Sequence, residues 1–124
     1  MPRGVPLKGW KGGYHTRRSI AASVSPTVAD LHWAAGLVEG EAGFRRRGDS
    51  EIRVLMVDDE PLRKLLRLFG GAVHQNIRRP TTPKQHTRYW VWAAYGARAR
   101  GIVMTLYSLL SKRRQEQIRT VLAA

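Results

Sequence analysis

Cysteine is absent from all 124 residues, so neither disulfides nor thiolate metal sites contribute to this chain. Acid is scarce: nine Asp and Glu stand against 22 Lys and Arg, giving a formal net charge of +13. That balance calls for a polyanionic partner, with nucleic acid favoured over a membrane surface. Long apolar runs are missing too, and none approaches the roughly 20 residues needed to span a bilayer. His15, His32, His74 and His86 show no metal-ligand spacing and no Ser or Asp arrangement of the triad kind. No glycine-rich phosphate loop is present, so nucleophilic hydrolases and nucleotide-binding enzymes find no support.

The shortage of acid is most complete at the start. Residues 1–29 hold Arg3, Lys8, Lys11, Arg17 and Arg18, three prolines and four glycines, and the first acid is Asp30. This segment reads as a basic, irregular N-terminal arm. It is either a solvated tail or a strap along a nucleic-acid backbone, with Arg17 and Arg18 nearest the folded part. Its Pro and Gly content spoils the amphipathic helix of a transit peptide. Residues 30–124 are long enough for a single domain and too short for two copies of one.

Along that domain the order of elements is αββαββα. Ser25, Pro26, Thr27 and Asp30 start a first helix that runs to about Glu41. Residues 43–48 and 51–58 form a hairpin turning at Gly48-Asp49-Ser50, with Ile52, Val54 and Met56 on the inward face. Asp58 or Asp59 caps a second helix. Pro61 sits in its first turn, Leu62, Leu65, Leu66 and Phe69 bury it, and Gly70-Gly71 end it. Val73–Arg79 and Arg88–Tyr95 are two further strands around a basic loop, Arg79-Pro80-Thr81-Thr82-Pro83-Lys84. A helix from about Ala97 and a final one through Ile118, Val121 and Leu122 close the chain.

One stretch breaks the rules of ordinary helices. Trp33 to Phe44 places Glu39 and Glu41 at the helix C-terminus, where the macrodipole is already negative and each acid costs up to about 1 kcal/mol. A positive group is therefore expected beside them, and an oxygen-liganded divalent cation would serve. Gly36 and Gly40, four apart, share a face and let another backbone approach closely, at a cost in helix propensity.

Ala34 to Ala42 (Ala-Ala-Gly-Leu-Val-Glu-Gly-Glu-Ala), flanked by Trp33 and Phe44, resembles the signature of the LAGLIDADG homing endonucleases. The likeness continues through Asp58-Asp59-Glu60-Pro61-Leu62, Leu65-Leu66 and Phe69-Gly70-Gly71, then Trp92 with Gly96, then Leu110 to Ile118. It covers roughly residues 30–122, in order. The resemblance implies an α+β fold, an antiparallel sheet saddle with helices on one face. It also implies a staggered, metal-dependent double-strand cut in a long, pseudo-palindromic DNA site. With one signature helix per chain, the enzyme is expected to be a homodimer packed through Ala35, Gly36 and Gly40.

Residue by residue, the likeness makes Glu41 the ligand of a divalent cation, Mg2+, and gives Glu39 no required chemistry. Arg113, with Lys112 beside it, falls at the basic position that stabilises charge on the phosphate. The cluster Lys112-Arg113-Arg114 also suits plain backbone binding. Alternation puts Arg53, with Arg45 and Arg47, on an outward sheet face, while His74, Asn76 and Arg78 alternate with Val73 and Ile77. Arg to guanine and Asn to adenine are the pairings such a face offers in a major groove. Trp90 and Trp92 suit core packing better than base stacking. A rival reading from another class is a non-cleaving nucleic-acid-binding module on the same fold, an RNA maturase or a DNA-binding regulator. Seventeen Arg against five Lys point to a GC-rich genome and a bacterial or phage-infected cytoplasm, with an organelle as the alternative.

Overall fold

The computed structural model describes residues 18–78 and 87–123. The elements run α1 (Val28–Glu41), β1 (Ala42–Arg47), β2 (Asp49–Met56), α2 (Glu60–Phe69), β3 (Ala72–Arg78), β4 (Thr87–Tyr95), α3 (Gly96–Leu106) and α4 (Lys112–Ala123). A 3-10 turn, Tyr107–Leu109, joins the last two helices. This is the αββαββα order with the terminal helical region split in two. The four strands form one antiparallel sheet in the order β1-β2-β4-β3. Among the described residues no helix is long and apolar enough to cross a membrane.

Local chemistry sets the helix ends. Thr27 and Asp30 form a reciprocal capping box at α1: the Thr27 hydroxyl accepts the Asp30 N–H at 3.1 Å, and the Asp30 carboxylate accepts the Thr27 N–H at 2.9 Å. That backbone N–H of Thr27 is the main reason the Asp30 carboxyl is held below its usual pKa. At α2 the two acids divide the work. Asp58 accepts the Glu60 N–H at 3.0 Å, and Asp59 pairs with Arg63 at 2.7 Å. Gly70 and Gly71 leave α2 at φ +75° and +109°, a region closed to most side chains. A Cβ on Gly71 would stand 2.6 Å from the Ala93 carbonyl oxygen, so the exit admits no bulk.

Strand alternation sorts the sheet into two faces. Ala42, Phe44, Ile52, Val54, Met56, Val73, Trp90, Trp92 and Ala94 fall on one side by register and join the core. Leu62 and Leu65 of α2, Ile102 and Leu106 of α3, Ala34 and Val38 of α1, and Ile118 of α4 complete that core. Each fully buried Leu or Ile contributes roughly 1.5–3 kcal/mol over exposure. Trp92 is its largest member, fully buried, with Nε1 donating to the Gly70 carbonyl at 2.9 Å. Trp90 lies half-buried at the margin with Arg63 over its ring.

Three details differ from the sequence expectation. The hairpin turns on Gly48 alone (φ +80°), so β1 and β2 each begin one or two residues earlier than expected and Arg47 pairs with Asp49. Asp49 favours that register because its carboxylate accepts the Ser50 N–H and binds Arg100 of α3, both at 2.7 Å. Leu109, placed on an apolar stripe, lies on the 3-10 turn and is exposed. Residues 18–27, the described part ahead of α1, are tied to the folded domain. Ile20 exchanges backbone hydrogen bonds with Gly71 at 2.8 and 2.9 Å, and Ser23 donates to the Arg67 carbonyl at 2.9 Å. The remainder of the arm, Arg17 included, and the Arg79–Lys84 loop lie outside the described residues.

Candidate nucleic-acid interface

Two helix ends of the wrong sign meet at one corner. α1 ends on Glu39 and Glu41 with no base in its last turn, and α4 begins Lys112-Arg113-Arg114 with no acid in its first. Each arrangement opposes its own macrodipole, and each relieves the other. The Glu39 carboxylate accepts the Ser111 N–H at 2.9 Å, just ahead of α4. In return the Arg114 Nε donates to the Glu39 carbonyl at 3.0 Å, satisfying one of the free carbonyls at the end of α1. The Ser111 N–H is the first cause holding the Glu39 carboxyl below its usual pKa; the Ser111 hydroxyl, Arg114 and Arg113 add to it. Arg114 is buried, stacks over Phe44 of β1 at 5.3 Å and donates to Gln117 at 2.9 Å. The positive group expected beside the acids is thus Arg114, and it serves Glu39.

Glu41 is left over. It is the last residue of α1, exposed, and its carboxylate makes no hydrogen bond or ion pair with any described residue. Lys112 and Arg113 are exposed on the first turn of α4, and Arg113 is close enough for its charge to act on Glu39. The free carboxylate of Glu41 and the two solvent-facing cations thus flank a hydrogen-bonded pair, buried Arg114 and half-buried Glu39. Among the described residues no three His, Asp or Glu converge to hold a metal ion. One chain offers a single carboxylate here, so a divalent cation fits this corner only with oxygens from elsewhere: a second Glu41 or a phosphate.

The exposed side of α1 carries little polarity. Val28, His32, Gly36 and Gly40 face outward on this helix, and only His32 among them is polar. A Cβ built on Gly36 or Gly40 would meet nothing within 4 Å, so the chain's own packing does not require glycine at either position. Ala35, by contrast, is 4% exposed in the chain's own core, so it belongs to the fold rather than to an outer face.

The second surface is the uncovered face of the sheet. Arg45, Arg47 and Arg53 share it with Tyr95, His74 and Asn76 by register, opposite to Ile52, Val54 and Trp92. Arg47 is exposed, Arg53 half-buried, and neither makes a hydrogen bond or ion pair with a described residue. His74 is 8% exposed and its Nε2 lies 3.4 Å from the Asn76 amide nitrogen, so His74 sits beneath this face while Asn76 stands out from it. Arg78 pairs with Thr87 at the far end of the same alternating set. Arg18 is exposed just ahead of the Ile20 bridge.

The sequence pattern did not single out Glu51, and it gave Arg114 no contact with Glu39. Glu51 is 4% exposed on the arginine face, and its Oε1 accepts the Arg45 Nε–H at 2.7 Å. The alternation that turns Arg53 outward also turns Glu51 outward, and a hairpin centred on Gly48 sets it opposite Arg45. Arg114 was legible as one of a cluster of bases at the wrong end of a helix, the mirror image of Glu39. No family model, no curated protein and no solved structure matches this chain.

Proposed function

We propose that this chain is a site-specific DNA endonuclease of the LAGLIDADG homing type, active as a homodimer. The observation that carries the reading is Glu41, a carboxylate kept free and exposed at the end of a helix while the carboxylate of its neighbour Glu39 is hydrogen-bonded to Ser111. A helix does not gain stability from such an acid. Its position next to β1, the strand that bears Arg45 and Arg47, suits a group that acts on bound DNA.

In this reading the outward side of α1, with Gly36 and Gly40, packs against the same side of a second copy and brings the two Glu41 carboxylates together. The arginine face of each sheet lies in a major groove. Mg2+ held by Glu41 and phosphate oxygens would neutralise the phosphate and activate a bound water. Arg113 and Lys112 add positive charge where the phosphate becomes more negative. Arg114 fixes the end of α1 from α4, so Glu41 is held on a rigid element rather than a loop. The rival, a non-cleaving binding module, leaves Glu41 without a task.

The test is direct. Duplexes selected from a randomised pool in Ca2+ are end-labelled and incubated with protein and Mg2+. The reading expects a consensus with two-fold symmetry and a staggered cut within it. Selection of a consensus that Mg2+ never renders cleavable would favour the binding module, and absence of any DNA binding would refute the endonuclease and the DNA-binding regulator alike, leaving only an RNA-binding module.

A further inference from the structure

The uncovered face of the sheet carries a feature that plain DNA affinity does not require. Register aligns Arg45, Glu51 and Tyr95 in one row across β1, β2 and β4. Arg45, Arg47, Glu51, Arg53, His74 and Tyr95 line a hollow of about 190 Å3 there, with Val91 at its base. Beside Arg53 the row holds Gly43, Ala93 and Ala72, none of which carries a long side chain.

Within it sits an acid. An acid facing DNA repels phosphate, and a buried carboxylate loses hydration that a single ion pair barely restores. With Arg45 itself 37% exposed, solvent screens the attraction, so stability does not account for the acid. Geometry does. Glu51 Oε1 takes the Arg45 Nε–H at 2.7 Å, and the Arg45 side chain is 37% exposed. The two Nη groups at the tip of that guanidinium make no hydrogen bond with any described residue. A guanidinium held by its Nε has its plane set and its paired Nη–H donors pointing away from the holder. That fork matches the O6 and N7 acceptors of guanine in the major groove. Arg47, nearer the turn, makes no such contact and suits phosphate.

We infer that Glu51 is a positioning residue for sequence recognition: it presents the Nη edge of Arg45 to a guanine. This rests on the DNA-binding reading above and adds to it the base class read and the residue that sets the reading. The guanidinium, partly neutralised by Glu51, loses some general attraction for phosphate and gains discrimination in exchange.

Selection from a randomised duplex pool tests it with wild type, Arg45→Ala, Arg47→Ala, Glu51→Gln and Glu51→Met, each checked for folding by circular dichroism. Wild type should prefer G·C at one base pair per half-site by roughly 5- to 150-fold, the usual discrimination of a bidentate pair. Arg45→Ala and Glu51→Met should both reduce that preference to about twofold or less, at that base pair alone. Glu51→Gln, which keeps an acceptor oxygen, should fall between. Glu51→Met should also bind non-specific duplex more tightly than wild type, because an acid has left the face; a merely structural defect would weaken both. Arg47→Ala should lower affinity for all sequences alike. An unchanged consensus in Glu51→Met, or an equal loss at every position, overturns the inference while leaving DNA recognition intact. If Glu51→Met does not fold, Glu51→Gln takes its place: a reduced G·C preference at the one base pair supports the inference, and an unchanged consensus overturns it. A wild-type protein that selects no sequence overturns the DNA-recognition reading itself.

Discussion

On the covered face of the sheet Ile52, Val54 and Trp92 have no exposed surface and lie within the apolar core; one residue along the same strands, Arg53 stands among Gly43, Ala93 and Ala72 with no described partner. The strands are shared, so backbone pairing is common to both faces and the contrast comes from side chains alone. Close packing on the covered side holds the sheet rigid. On the other, Arg45, Arg47 and Arg53 line a hollow of about 190 Å3. The fold supplies the rigidity, and the uncovered face is where binding can be altered without unfolding the protein.

The largest expected effect lies on the covered face. Trp92→Ala should cost about 3–5 kcal/mol, from lost burial and the cavity left behind. That is a large part of the roughly 5–15 kcal/mol typical of a domain, so chemical denaturation should show a greatly lowered midpoint. Gly40→Leu should split folding from assembly. The chain itself has open space at this Cβ, and replacing a helical glycine should raise monomer stability by up to about 1 kcal/mol. Overpacking a close helix interface should at the same time weaken the dimer by about 1–3 kcal/mol, read by sedimentation equilibrium. A stabilised variant that still dimerises like wild type would move the interface off α1.

On the uncovered face Arg53→Ala should leave the denaturation midpoint within about 0.5 kcal/mol of wild type. Its affinity for a selected duplex should nevertheless fall at least about fivefold in a gel shift. Substantial unfolding in this variant would erase the distinction between the faces. The smallest effect concerns the corner that joins α1 to α4. The Glu39 carboxyl lies below its usual value of 4.5 in the folded chain, chiefly through the Ser111 N–H. Its stabilising contribution is therefore present above pH 4.5 and is lost as pH falls through the lower folded value. Glu39→Gln should make the fall of melting temperature on acidification shallower, with Asp30 still contributing in the same sense.

Much of this was readable from residues alone, for identifiable reasons. Alternation in Ile52, Val54 and Met56 set which strand residues face the helices, and the Leu62–Phe69 stripe with Gly70-Gly71 bounded α2. Those signals are local and periodic. What sequence did not reveal depends on register or on distant partners. Moving the hairpin centre to Gly48 changes who stands opposite Glu51, and periodicity carries no information on that shift. The Arg114–Glu39 bond joins residues 75 apart in the chain, and only the mismatched charge at both helix ends foreshadowed it. The Ile20–Gly71 bridge likewise hides in a segment whose composition suggests no order.

Binding and cutting are, on the proposed reading, separate properties of two surfaces, with the free carboxylate at the end of α1 responsible for cutting. Glu41→Gln keeps the shape and removes the charge. Wild type and Glu41→Gln should be compared on one selected, end-labelled duplex, by gel shift in Ca2+ and by cleavage in Mg2+. The expected result is near-equal binding and loss of cleavage to background, since carboxylate, metal, water and phosphate act as one unit. Cleavage by Glu41→Gln at close to the wild-type rate would contradict it.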